Sequence, residues 1–154
     1  MTSIVVLTLP LGPADGSVSG RRHALLMTES RTSAAAVPVR FDLMVLDTAD
    51  PPRLAEFYAA LLGWQVERVE DDWITITGGT GARIAFQLAP DHVPPTWPDV
   101  RVPQQVHVDF AVEDIPAAAA FAESLGAVRV SEPDVVEGFV VFRDPSGHPF
   151  CLCD

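Results

Sequence analysis

Lysine is missing from this 154-residue chain, so all of its side-chain positive charge rests on ten arginines set against 21 acidic residues, a formal net charge of −11. Proteins that bind nucleic acid do so through a basic surface, and this balance excludes such a partner. An acidic surface serves solubility first and the attraction of a cationic small molecule second. Cysteine is nearly missing too. Cys151 and Cys153 stand two apart, and on a strand they point to one face, a poor geometry for a disulfide between them. A reduced, cytoplasmic protein is the expectation. Long apolar runs are also lacking: none approaches the ~20 residues of a membrane-spanning helix, and no membrane association is expected. The glycine-rich stretch Gly78-Gly79-Thr80-Gly81 has no lysine and no following helix, which excludes a phosphate loop.

What the chain does contain is a module written twice. Asp50 and Asp114 stand 64 residues apart, as do Phe57 and Phe121, and Leu62-Gly63 returns as Leu125-Gly126 at an offset of 63. In the first copy, Arg40 to Leu46 reads as a strand. Asp50 caps a helix whose first turn holds Pro51 and Pro52. Leu54, Phe57, Tyr58, Leu61 and Leu62 form one apolar stripe, and Gly63 ends the helix in the left-handed conformation. Trp64 to Val69, Trp73 to Thr77 and Ala82 to Leu88 follow as strands. The second copy has strands at Gln105 to Val112, Ala127 to Val130, Gly138 to Arg143 and Pro149 to Cys153. Its helix is capped by Asp114 and buries the thinner face of Ile115, Ala118, Ala119, Ala122 and Leu125. Asp144-Pro145-Ser146-Gly147 makes the last hairpin turn.

The predicted fold is therefore α+β: two βαβββ modules, residues 39–88 and 104–154, joined by a proline-rich connector at 89–103. Their sheets curve into a cup with the helices on the convex side. Residues 1–38 differ in composition, with a short apolar run, a Gly/Ser/Pro-rich stretch and Arg21-Arg22. No positive residue precedes the apolar run, which argues against a secretory signal. A flexible extension with room for one short strand is expected there.

Strand alternation sorts the side chains by face. Met44, Leu46, Ile84, Phe86, Leu88, Val106, Val108, Phe110, Val112, Phe150 and Leu152 are expected under the helices. Leu43, Val45, Gln87, His107, Asp109, Cys151 and Cys153 are left on the concave side. Leu43 and His107, and likewise Gln87 and Cys151, obey the 64-residue offset, so the repeat places four equivalent positions around one expected site. His107 can act as a ligand, as a general base, or as a neutral histidine bonded to Asp109. His148, after the last turn, is read as exposed or packed on its hairpin, and His92 in the connector likewise. Trp64 is expected in the core; Trp97 lids the cup or covers an edge.

The doubled module, the block at Asp50, Phe57, Tyr58 and Leu62-Gly63, and the Asp144-Pro145-Ser146-Gly147 hairpin resemble the vicinal oxygen chelate superfamily. This is the group of glyoxalase I, extradiol dioxygenases, methylmalonyl-CoA epimerase and the bleomycin-resistance proteins. The resemblance spans residues 39–154 and implies the paired-module cup and a homodimer. In the superfamily's enzymes it also implies a divalent metal held by four strands, at positions that correspond here to Leu43, Gln87, His107 and Cys151. Leu43 has no donor atom, and a Cys151 thiolate suits zinc but not magnesium, manganese or calcium. The expectation is a glyoxalase/bleomycin-resistance-like protein that binds a small organic molecule in the cup, lined by Leu43, Val45, Gln87, His107, Asp109 and Cys151, with no obligatory metal. The alternative is a metal-dependent lyase, isomerase or dioxygenase. Its metal would be held by His107 with Gln87 and Cys151, or with Asp109, and His107 and Asp109 are the catalytic candidates. A third reading is an interaction module whose cup is filled.

Overall fold

The computed structural model of the protein describes residues 37–130 and 138–154. The expected N-terminal extension therefore lies almost wholly outside the described residues. The elements all belong to one compact unit, Val39–Asp154. In order they are β1 (Met44–Thr48), α1 (Pro51–Leu62), β2 (Gln65–Val69), β3 (Trp73–Thr77), β4 (Arg83–Leu88), β5 (Val108–Ala111), α2 (Ile115–Ser124), β6 (Val128–Arg129), β7 (Phe139–Arg143) and β8 (Pro149–Cys153). This is the α+β βαβββ pair that the sequence predicts.

The duplication extends to topology. One sheet has the order β1-β4-β3-β2 and the other β5-β8-β7-β6, so each strand occupies the same place in both copies. β1 and β5 run parallel to β4 and β8, respectively, and the remaining pairs are antiparallel. Parallel neighbours need a crossover, and each helix supplies one by packing back on its own sheet. The helices start where the caps predict: Asp50 accepts from the Arg53 amide at 3.1 Å and Asp114 from the Ala117 amide at 2.9 Å. Gly63 adopts φ 64° and closes α1 through a bond from its amide to the Ala59 carbonyl.

Both modules share one core. Leu46, Leu54, Phe57, Tyr58, Ile76 and Phe86 of the first pack in a single cluster with Ala119, Ala122, Phe142, Phe150 and Leu152 of the second. Tyr58 stacks on Phe86 at 5.7 Å and also meets Phe110 of the other module at 6.1 Å, while Phe57 meets Phe150 at 6.0 Å. Burying one such side chain stabilises by ~1.5–3 kcal/mol, so these rings bind the halves together.

Two residues expected under the helices are elsewhere. Leu88 ends β4 and Val106 precedes β5, and both are exposed, Val106 at 53%. Alternation held only as far as the ladders run: β5 starts at Val108, three residues later than predicted, and β1 starts four residues later, at Met44. The connector is fastened to the β7–β8 turn. His92 Nε2 lies 3.3 Å from the Ser146 carbonyl, and Arg143 donates to the Trp97 carbonyl at 2.7 Å. Gly147 adopts φ 90°, and a side chain there would meet Pro94 at 2.5 Å, so glycine is required on both counts.

Candidate functional site

Three of the sequence-predicted residues come together on the open face of the second sheet. Asp109 of β5 and Cys151 of β8 are register partners, and His107 lies two residues before Asp109. A ring nitrogen of His107, a carboxylate oxygen of Asp109 and the Cys151 sulfur all fall within 4.8 Å of one another. His107 and Asp109 are exposed, whereas Cys151 is buried. The amide of Gln104 stands 3.2 Å from His107 Nδ1, and an NH₂ group can only donate. That leaves the ring proton on Nε2, which faces Asp109 Oδ1 at 3.5 Å.

The Cys151 thiol is pushed up to about 12, first by burial, then by the hydrogen bond and charge of Asp109, and last by Cys153. Cys153 is raised in the same direction, by burial and then by Asp109 and Asp154. Both cysteines are free thiols. A nucleophile needs the thiolate, so these surroundings argue against Cys151 as one.

The other predicted site residues have different neighbours. Leu43 lines an open depression with Glu67, Trp73, Thr75 and Arg83, where Arg83 pairs with Asp42. Gln87 is exposed on β4, between Asp47 of β1 and Trp73 of β3. Val45 lines a cavity of about 350 Å³ bounded by β1, the connector and the start of β8.

Sequence reasoning passed over a buried polar network beside that cavity. Asp144 accepts from the Tyr58 hydroxyl at 2.9 Å, from the Ser146 and His148 amides at 2.9 and 3.0 Å, and pairs with His148 Nδ1 at 2.9 Å. Thr48 Oγ1 meets Ser146 Oγ at 2.7 Å. Of the two places considered for His148, the hairpin is the one it takes, and it is buried there rather than exposed. The signal was available in the spacing of Asp144 and His148 around a tight turn. What spacing withheld is that Tyr58, 86 residues away, closes the network.

A divalent cation is the group this architecture invites, and the donors decide which one fits. A cluster of nitrogen, carboxylate and sulfur suits zinc and is wrong for magnesium or calcium, which take oxygen. Zinc would need the Cys151 proton released and the His107 proton moved to Nδ1, with the Gln104 amide turned to accept it.

Two sheets of identical order, each crossed by one helix and sharing a core, define the vicinal oxygen chelate fold. The chain belongs to the glyoxalase-like domain family, whose profile matches residues 43–153. No curated protein matches the sequence. Among solved structures, the fosfomycin resistance protein FosX from Listeria monocytogenes is similar at 15% identity and a TM-score of 0.59, over 76% of this chain and 93% of that one. A possible glyoxalase from Bacillus cereus gives 15% and 0.57, over 76% and 100%. A glyoxalase/bleomycin resistance protein/dioxygenase family enzyme from Burkholderia phytofirmans PsJN gives 16% and 0.57, over 72% and 94%. At these identities the likeness is one of fold. Among the described residues no helix is long and apolar enough to cross a membrane.

Proposed function

We propose that the protein binds a small organic molecule on the open face of its sheets, around His107, Asp109 and Cys151, without an obligatory metal. The observation that carries this reading is the chemistry of the family's ligand positions in this chain: Leu43 offers no donor, and Cys151 is held as a neutral thiol by burial and by Asp109. His107 and Asp109 then act as hydrogen-bonding groups toward a ligand. The net charge of −11 favours a neutral or cationic molecule over an anion such as fosfomycin, despite the name of the Listeria neighbour. The protein would act as a homodimer in the reducing cytoplasm; exposed Val66 and Val69 on the edge strand β2 offer apolar surface for pairing. A sedimentation mass of one chain at micromolar concentration would refuse the dimer.

A thermal-shift screen over dicarbonyls, catechols, cationic antibiotics and fosfomycin tests the binding. Hits should persist after exhaustive treatment with EDTA. Binding that vanishes with the chelator and returns with zinc would overturn the reading.

A second reading has its own support in the 4.8 Å cluster. A zinc-dependent lyase or isomerase would hold its metal with His107, Asp109 and Cys151; zinc has no redox chemistry, so a dioxygenase would need a different divalent metal there. Zinc bound there would polarise a substrate oxygen and favour an anionic state. Elemental analysis separates the two: stoichiometric zinc that is lost in His107→Ala supports the enzyme.

A further inference from the structure

The cavity of about 350 Å³ beside β1 contains none of the His107, Asp109 and Cys151 cluster. Its walls are largely apolar, with Val45, Val93, Pro95, Val102, Val106 and Pro149 among them, and its polar side chains include His92 and His148. The hydrogen bonds around these two rings determine which nitrogens are free. His148 Nδ1 pairs with a carboxylate, which only accepts, so Nδ1 carries the proton and Nε2 of the neutral ring presents its lone pair. His92 Nε2 faces the Ser146 carbonyl, so it carries the proton and Nδ1 presents the lone pair. The rings lie against each other at 4.7 Å.

Among the described residues neither His148 Nε2 nor His92 Nδ1 has a hydrogen-bond partner. Among the described residues no buried side-chain nitrogen or oxygen lacks one, so both atoms reach open space. The His148 side chain is only 10% exposed and lines the cavity, so the cavity is the open space beside its ring. Asp144 and Tyr58 fix the ring from behind; such support is what holds a binding group in position.

We infer that this cavity is a second binding site, separate from the open-face cluster, for a compact neutral ring compound carrying a hydroxyl or N–H donor. The apolar walls take the ring and His148 Nε2 accepts the donor's hydrogen. The volume lies at the lower end of the range for small-molecule pockets and exceeds the ~150 Å³ that benzene fills in an apolar cavity. Asp47 also lines the space and adds to the charge of the chain, so a carboxylate or phosphate is disfavoured.

The inference does not depend on the proposed function, and its test reports on both sites at once. Phenol serves as the probe against the full chain labelled with ¹⁵N, read through the histidine ring nitrogens. The His148 and His92 signals should move saturably, with a Kd on the order of 1 mM, reasonable for so small a ligand. The His107 signals should stay in place. Anisole, similar in size but without the O–H, should bind at least about tenfold more weakly, the order expected for losing one hydrogen bond. Val106→Trp, at an exposed cavity position, should abolish the shifts without threatening the core. Absence of saturable shifts, shifts confined to His107, equal binding of anisole, or undiminished binding in Val106→Trp would each overturn the site.

Discussion

Tyr58 is the only tyrosine in the chain, and it is 1% exposed with its hydroxyl on Asp144. Burial, then the charge of Asp144 and the bond to it, raise its ionisation well above the ordinary value of 10.0. Where the folded value lies above the unfolded one, the unfolded chain loses its proton first. The stabilisation is complete below pH 10 and is lost as pH climbs from there toward the folded value. Cys151 adds in the same direction over the window from 9.0 to about 12. These two groups should therefore lower the unfolding free energy in the alkaline range. Tyr58→Phe should cost ~1–3 kcal/mol at neutral pH, because a buried carboxylate loses a donor. Its stability should also fall less steeply above pH 10, leaving the slope due to Cys151 and Cys153. Urea unfolding across pH checks both parts, and tyrosinate absorbance reads this one group directly. Ionisation of the folded protein at the ordinary value would contradict the account.

At the level of the element, the repeat was legible because caps and breakers are local. Asp50, Asp114 and Gly63 do what their positions predict, and β3 and β8 occupy the residues assigned to them. Burial was less legible, since it depends on what an element meets. Phe57 and Phe121 occupy equivalent positions, yet Phe57 is 3% exposed and Phe121 47%. α1 presents a wide stripe that reaches Phe150 of the other module, whereas the alanine-rich α2 buries only Ala119 and Ala122 fully. Phe57→Ala should cost ~3–5 kcal/mol and Phe121→Ala less than ~1 kcal/mol. Equal losses, measured by denaturant unfolding, would mean that α2 is covered in solution by a partner. The candidate site divides the same way. Alternation put His107, Asp109 and Cys151 on one face because β5 and β8 are direct neighbours. The cavity depends on the connector reaching the last turn, through Pro94 on Gly147 and His92 on Ser146, and proline-rich segments carry no periodicity from which to read such a path.

For the molecule as a whole, duplication raises the question of whether the copies behave as two domains or one. Each has its own sheet and helix, but their cores join in one cluster: the aromatic rings of α1 meet Phe110 and Phe150, and the polar ties run from Tyr58 to Asp144 and from Thr48 to Ser146. Separating the modules would return the apolar surface between them to water, at ~25 cal/mol for each Å². Unfolding should therefore be a single cooperative event for residues 39–154. The three tryptophans, Trp64, Trp73 and Trp97, all lie in the first module and the connector, so their fluorescence reports none of the second module directly. Phe150→Ala removes a ring from the second module and should destabilise by ~3–5 kcal/mol. If the core is shared, tryptophan fluorescence and far-ultraviolet circular dichroism should move together to the same lower urea midpoint. A fluorescence transition that stays at the wild-type midpoint while the dichroism transition splits would show that the first module stands alone, and the cavity between connector and hairpin would then open well before the fold is lost.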